Sequence, residues 1–350
     1  MKQNLIAATY PGRKKDDLIV ICGAGGFIAG SLTRYFHDQG FTNIRAIDRK
    51  PLPYWYQRVQ GVESLSMDLS EKENAIAAVE GAVEVYNLAA DMGGMGFIEK
   101  NRVACLRSIL INTHLVDAAW RAGVDRYFYS SSACAYNVTL QQDPNVRALK
   151  ESDAYPAMAE RGYGWEKLIS EMFCQEYTAE RGMKTAIARF HNVYGPNGTL
   201  DGGREKAPAA ICRKVIEAKE SGKHEITIWG DGHQTRSFMY IDDCTKGIDM
   251  IMHSDELIAT PINLGTSELI SINDLTTMAE EIGGVKLKRS YDLDAPRGVA
   301  GRNSDNTFIK KMLDWEPNTP LKDGLKKTYN WIEQQYCDRK LGKHTVRDVE

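Results

Sequence analysis

Apolar positions in this chain fall into short β-branched runs, and between them lie longer stretches in which apolar residues recur every three or four positions. The first pattern marks strands and the second amphipathic helices, because side chains repeat every two residues on a strand and about every 3.6 on a helix. Strands are predicted at residues 18–24 (LIVICGA), 44–48 (IRAID, ending on Asp48), 84–89 (EVYNLA), 126–131 (RYFYSS) and 184–192 (KTAIARFHN). Helices are predicted from Phe27 onward, at 98–122 and at 164–181. This alternation specifies an α/β fold around a parallel sheet. No internal repeat or low-complexity tract interrupts it. Beyond Asn192 the chain turns loop-rich and is punctuated by glycine and proline, which predicts a second, smaller lobe built from that region and the tail.

Composition narrows the class. The chain has 350 residues, 43% hydrophobic and 26% charged, with a formal net charge of -3. That balance argues against a nucleic-acid surface, so an anionic ligand has to be met by local cations. The seven cysteines are odd in number and form no CxxC pair, which predicts free thiols in a reducing cytoplasm. No apolar run reaches the ~18 residues of a membrane span. The opening segment MKQNLIAATYPGRKKDD is polar and basic and reads as a loose arm. The seven histidines show no metal-ligand spacing, so no metal is expected, and His191 reads as a satisfied core or supporting group.

Candidate chemistry begins at the end of the first strand. Gly23-Ala24-Gly25-Gly26-Phe27-Ile28-Ala29 is a glycine-rich turn between strand and helix. Glycine lets backbone approach a pyrophosphate, whose charge then sits at a helix N-terminus where free N–H groups point. Asp48 ends the next strand, where a carboxylate accepts hydrogen bonds from the adenosine ribose and repels a 2′-phosphate; the expected cofactor is therefore NAD and not NADP. Asp68, in SMDLS, is placed either near the adenine or in a solvated loop. Tyr163 and Lys167 form Tyr-x-x-x-Lys, which puts phenol and ammonium on one helix face, and an adjacent cation favours a phenolate base. Ser132, upstream, adds a hydroxyl toward the same substrate group.

With these residues in view, the chain resembles the extended short-chain dehydrogenases/reductases that act on nucleotide sugars, the NAD-dependent epimerase/dehydratase family. The blocks NLAADMGGMGF, SSAC, RFHNVYGPNGT, GGREKAPAA, WGDGHQTRSF and GRNSDN resemble its 3,5-epimerase branch, and the likeness runs from Leu18 to Trp331. It departs at Trp165, inside the Tyr/Lys motif, and at SSACAYN, which lacks the branch's usual Pro-Glu.

The resemblance implies a Rossmann-type doubly wound parallel sheet spanning 1–190 and receiving about 233–265. It implies a smaller nucleotide-sugar lobe from 191–232 and 266–340, and a tail at 341–350. It implies that Phe27, Ile28 and Ala89 join Gly23, Gly25, Gly26, Asp48, Asp68, Tyr163 and Lys167 around NAD. It also implies that Gly93, Ser132, Ala133, Cys134, Asn192, Glu205, Lys206, Ala207, Lys214, Gln234, Thr235, Arg236 and Arg302 surround a GDP-sugar. Arg236 and Arg302 suit its diphosphate, since guanidinium binds phosphate oxygens bidentately. A homodimer formed through the helices near 98–122 and 164–181 is implied as well.

The chemistry implied is epimerisation of GDP-mannose to GDP-L-galactose, and to GDP-L-gulose by inversion at carbon 5 alone. Oxidation at carbon 4, begun by Tyr163, acidifies the hydrogens on carbons 3 and 5. Cys134 and Lys206 match the branch's acid/base pair, the thiol removing a proton and the ammonium delivering one from the other face. A 4,6-dehydratase shares fold and cofactor but places an Asp-Glu pair where Ala133-Cys134 stand. A simple 4-epimerase or 4-dehydrogenase needs neither Cys134 nor Lys206, and a non-catalytic NAD-binding regulator has no use for the whole constellation.

Overall fold

The computed structural model describes residues 10, 12–296 and 298–343. Of the segments read from sequence, 1–9 and Pro11 in the N-terminal arm and 344–350 in the tail lie outside the described residues. Fourteen strands and ten helices follow in the described chain. The strands are β1 (Ile19–Cys22), β2 (Ile44–Asp48), β3 (Glu63–Ser66), β4 (Glu84–Asn87), β5 (Arg126–Ser132), β6 (Lys184–Phe190), β7 (Val193–Tyr194), β8 (Glu225–Trp229), β9 (Thr235–Ser237), β10 (Met239–Tyr240), β11 (Pro261–Leu264), β12 (Leu269–Ser271), β13 (Lys288–Asp292) and β14 (Gly301–Arg302). The helices are α1 (Phe27–Asp38), α2 (Lys72–Val79), α3 (Met95–Lys100), α4 (Arg102–Arg121), α5 (Tyr163–Arg181), α6 (Ala207–Ser221), α7 (Ile241–Met252), α8 (Ile272–Gly283), α9 (Thr307–Leu313) and α10 (Leu321–Lys340).

Seven strands form one parallel sheet in the order β11-β6-β5-β4-β1-β2-β3. Both of its faces are covered, which is why its strands read as continuous apolar runs. Ile19 and Ile21 of β1 point into a core shared with α1 and α7, whereas Val20 and Cys22 point to the opposite core with α2, α4 and α5. The order of strands reverses between β1 and β4, so a crevice opens beyond their C-terminal ends, where ligands of such sheets bind. Outside the large sheet, β12, β9 and β14 form one small sheet, β13 pairs with β8, and α6, α8 and α10 pack through Cys212, Val215, Leu275, Leu325 and Tyr329. β11 returns from that part of the chain to pair with β6.

The predicted elements are present with local differences. β1 stops at Cys22 because Gly23 turns at φ 86°. The helix expected over 98–122 is two helices, α3 and α4, joined at Asn101, whose ψ of 42° takes the backbone out of helical geometry. The larger correction concerns the N-terminal arm, which is not loose from Arg13 on. The Arg13 side chain is 7% exposed and bridges Glu84 of β4 at 2.9 Å and Asp249 of α7 at 2.8 Å. His253 completes the cluster, 2.8 Å from the other Glu84 oxygen, and stacks on Tyr10 with ring centroids 4.1 Å apart. Sequence patterning missed it because the three partners lie far apart along the chain.

This buried cluster makes stability depend on pH in both directions. The carboxyls of Glu84 and Asp249 are held below their ordinary values: burial works against this, but His253 and Arg13 outweigh it. Their contribution is present above the ordinary carboxyl range and is lost as pH falls. His253 is raised above its ordinary 6.5 despite burial, by Asp249 and Glu84, so its contribution is complete below 6.5 and is lost as pH rises through the folded value. Arg13→Ala leaves two carboxylates short of a partner and is expected to cost about 3 kcal/mol in urea unfolding. His253→Gln should flatten the loss of stability as pH rises above 6.5; coincident curves for parent and variant would contradict the assignment.

Candidate active site

Four elements bring the reactive side chains together at the C-terminal edge of the sheet. β5 ends on Ser132, and the 3-10 turn Ala133–Ala135 follows, with the Ser132 hydroxyl accepting the Cys134 amide at 3.2 Å. α5 begins on Tyr163 after Gly162, whose φ of 82° suits glycine. Tyr163 and Lys167 are both buried on the inner face of α5. Gly164 is required there, since a Cβ would stand 2.2 Å from the Cys134 carbonyl oxygen. Lys206 caps the start of α6, and Arg302 comes from β14.

Within the glycine cluster at 93–96, Gly93, expected beside the sugar, packs elsewhere than two glycines that follow it. Gly93 is buried behind Phe97 and is not part of the cavity wall, whereas Gly94 and Gly96 are. A Cβ at Gly94 would lie 2.6 Å from the Glu205 carbonyl oxygen, and the Gly94 amide donates to Arg204 O at 3.0 Å. The cluster thus lets the segment leading to Lys206 press against the Rossmann half. Arg204 reinforces the contact by donating to Asp91 at 2.9 Å and covering the Phe97 ring at 3.8 Å.

Ser132, Ala133, Cys134, Asn192, Glu205, Lys206, Ala207, Lys214, Gln234, Arg236 and Arg302 line one cavity of about 210 Å³. Thr235 does not: its hydroxyl donates to Pro144 O. Asn192 donates to Ser237 O at 3.1 Å, Lys214 to Thr227 O at 2.8 Å, and Glu205 accepts from Arg213 at 3.1 Å. Gln234 donates to Trp229 O at 2.8 Å while its buried Oε1 has no hydrogen-bond partner, so it is an acceptor available to a ligand. Trp229, Met95, Phe190 and Phe238 add flat and apolar wall suited to a base. His191 is buried, Nε2 lies 2.9 Å from Asn263 Oδ1, and burial pushes its pKa down to about 3, so it is a neutral core group.

Electrostatics set the resting protonation. Burial pushes the Tyr163 phenol well above its ordinary 10.0, Cys134 and Glu166 add to this, and the Ser132 hydroxyl opposes it. The expected lowering by Lys167 is not what governs the phenol here: the ammonium is 5.4 Å from the ring centroid and has Glu166 at 3.6 Å. Burial also raises the Cys134 thiol and lowers the Lys206 ammonium from its ordinary 10.5. Burial and the neighbouring Arg302 push Arg236 down to about 10. Two adjacent guanidiniums and an ammonium therefore line a cavity that favours an anion.

Sequence reading missed Glu160, Gln141, Trp229 and Trp55. Three of Arg302's five N–H groups are engaged: Nε by Gln141 at 2.6 Å, Nη1 by Cys134 Sγ at 3.4 Å and Nη2 by Glu160 at 2.5 Å. Gln141 and Glu160 sit in no motif. Trp229 lay within a recognised block and could have been drawn from it.

A dinucleotide fits the turn after β1. A side chain at Gly23 would strike Leu88 O at 2.9 Å and Ala89 Cα at 3.0 Å, and one at Gly25 would strike Trp55 and Asp48. Gly26 caps α1 without a side-chain hydrogen bond, leaving first-turn amides at Phe27 and Ile28 for an anion. Phe27 itself packs against Gly195 and Gly198, and Ala89 donates its amide to Asn87 Oδ1 at 3.2 Å. Asp48 is anchored at the strand end by the Gly25 amide at 3.1 Å and the Lys50 amide at 2.9 Å. Asp68 is exposed, with one oxygen bonded to the amide and hydroxyl of Ser70 at 2.9 and 2.7 Å.

A model of the NAD dependent epimerase/dehydratase family matches residues 19–265. The chain belongs to this family. It is 43% identical over 318 residues, 91% of this chain and 82% of the relative, to GDP-mannose 3,5-epimerase of Arabidopsis thaliana, and matches GDP-mannose 3,5-epimerase 1 of Oryza sativa subsp. japonica at the same identity and coverage. Among solved structures, UDP-glucuronic acid 4-epimerase from Bacillus cereus, in complex with UDP-glucuronic acid and NAD, is 25% identical with a TM-score of 0.78, covering 91% of this chain and 99% of that one. The family fold and its NAD dependence thus account for the parallel sheet and the glycine cradle.

Asp48→Ala is expected to weaken NAD binding about tenfold, the worth of a hydrogen bond to a charged group, and to relieve the bar to NADP. Titration calorimetry giving the parent's NAD-to-NADP affinity ratio would remove Asp48 from the ribose site.

Proposed function

We propose that this enzyme converts GDP-mannose to GDP-L-galactose, with GDP-L-gulose arising by inversion at carbon 5 alone. The observation that carries the proposal is that Cys134 and Lys206 line one cavity while Cys134 also packs with Tyr163, behind which Lys167 stands, because a thiol and an ammonium are surplus to a simple 4-epimerase or 4-dehydrogenase. The close relatives support the same reading. A 4,6-dehydratase is disfavoured because Ala133 and Cys134 occupy the turn where its acidic pair would stand.

Bound NAD⁺ supplies the hydride acceptor and donor at carbon 4, together with a positive charge that favours phenolate. Gly23, Gly25, Gly26 and Asp48 would hold it, with Asp68 and Ala89 alongside. Tyr163 takes the proton of the carbon-4 hydroxyl, with Ser132 orienting that oxygen and Lys167 supporting the tyrosine. The resulting ketone acidifies the hydrogens at carbons 3 and 5. Cys134 removes one as a proton, and Lys206 delivers one to the opposite face, so the centre inverts. Arg236 and Arg302 offset the diphosphate charge, and Gln234 Oε1 accepts from a ligand hydroxyl or amine.

We further infer a homodimer. Val103, Leu106 and Leu110 expose one apolar stripe on α4, and Trp165 and Met172 another on the adjacent α5. A second copy covers such a surface at low cost in polar groups. Among the described residues no helix is long and apolar enough to cross a membrane. All seven cysteines are unpaired, which supports a reducing, cytoplasmic setting.

The two halves of the mechanism should separate on mutation. Cys134→Ala is expected to fold, bind NAD and still show transient NADH absorbance with GDP-mannose, yet lose epimerisation by about 10²- to 10⁴-fold. Tyr163→Phe should show no NADH transient at all. A Cys134→Ala enzyme that epimerises near the parent rate would reduce the thiol to core packing and sink the 3,5-epimerase reading.

A further inference from the structure

Behind the cavity wall stands a carboxylate that the reaction above does not use. Glu160 lies three residues before Tyr163, its side chain 11% exposed, and it does not line the cavity. Its amide donates to the Cys134 carbonyl at 3.1 Å, and its own carbonyl receives the Trp165 amide at 3.2 Å. Gly164 permits this closeness, since a Cβ there would also come within 3.1 Å of Glu160 Cβ. The backbone of Glu160 is thus fixed against the turn that carries the thiol.

The side chain meets the same turn twice, directly as hydrogen-bond partner of the Cys134 thiol and through Arg302. Arg302 Nη2 donates to Glu160 at 2.5 Å while Nη1 of the same fork donates to Cys134 Sγ at 3.4 Å, and Gln141 holds Nε at 2.6 Å. One planar guanidinium therefore spans carboxylate and sulfur, with its third side clamped.

We propose that Glu160 is a positioning residue for Cys134: it holds Arg302 beside the sulfur and, by engaging that cation, determines the protonation state from which the thiol acts. This rests on Cys134 being the base of the proposed reaction. The reason lies in the charges around the sulfur. Arg302, Arg236 and Lys206 bring three positive charges, Tyr163 and Ser132 bring neutral hydroxyls, Cys105 a neutral thiol, and Glu160 the negative charge opposing them. Without Glu160, a thiolate locked to Arg302 would be a weak base toward a sugar C–H. With it, the guanidinium is satisfied by a carboxylate and grips the sulfur only through one long N–H···S contact. The titration directions agree: burial and then Glu160 raise the thiol, while Arg302, Ser132 and Lys206 oppose.

The test needs no turnover. The rate of Cys134 alkylation by iodoacetamide is followed against pH in the full-length NAD-loaded protein, reading the Cys134 peptide by mass spectrometry so that the other six cysteines do not interfere. Glu160→Gln keeps the shape and an acceptor for Arg302 but removes the charge, and is expected to move the midpoint about one pH unit toward acid. Arg302→Gln should move it toward alkali, and serves alone if the Glu160 variant does not fold. An unmoved midpoint in folded Glu160→Gln, even with a lowered melting temperature, or in Arg302→Gln, overturns the proposal. Because alkylation reports on the thiol and not on a product, a shifted midpoint in an enzyme that fails to epimerise would leave this inference standing while the proposed reaction falls.

Discussion

The site hangs on a contact between two pieces of backbone. The carbonyl oxygen of Cys134 occupies the space that a Cβ at residue 164 would need, 2.2 Å away, so α5 reaches the turn after β5 only because that residue is glycine. The same carbonyl accepts the Glu160 amide at 3.1 Å, which brings the loop before α5 to the turn from the other side. Beneath them a buried strut fixes α5 to the sheet. Arg189 of β6 pairs with Glu171 of α5 at 2.7 Å and donates to Glu151 O at 2.7 Å, and Ser131 of β5 donates to the same carboxylate. Thiol, phenol and lysine are consequently placed by packing and not by flexible loops, as catalysis through proton transfer demands.

The second half of the site is brought in by the opposite device, a small-residue contact between the two parts of the molecule. Gly94 accepts the approach of Glu205, and Arg204 ties that segment to Asp91, which also receives Arg49 at 3.0 Å. The strand end that carries Asp48 and the loop that carries Lys206 thereby share one carboxylate. The end of β2 and the segment leading into α6 are joined through Asp91.

Much of this was legible in the chain itself. The parallel sheet follows from β-branched runs, the cradle from glycines between strand and helix, Asp48 from its place at a strand end, and Tyr163 with Lys167 from helical spacing. What was not legible depends on pairing at long range. Glu160 carries no spacing signature, and its partner Arg302 is remote in sequence; Arg13 sits in a basic stretch whose only sign of order is Glu84 and Asp249, far along the chain. Gly93, expected beside the sugar, instead packs against Phe97 for a related reason, since a glycine shows that something approaches closely but not whether it is ligand or protein. The Tyr163 phenol also differs from expectation because burial outweighs a lysine that is itself paired with Glu166.

The central claim is that protons are exchanged at carbons 3 and 5 of a sugar whose carbon 4 is only transiently oxidised. The direct measurement is incubation of the NAD-loaded enzyme with GDP-mannose in deuterium oxide, followed by NMR of the hexose ring. The account predicts solvent deuterium at both carbon 3 and carbon 5, inverted configuration at those centres, and protium retained at carbon 4. Inversion at carbon 4, loss of the carbon-6 oxygen, or turnover without solvent deuterium in the ring would contradict it.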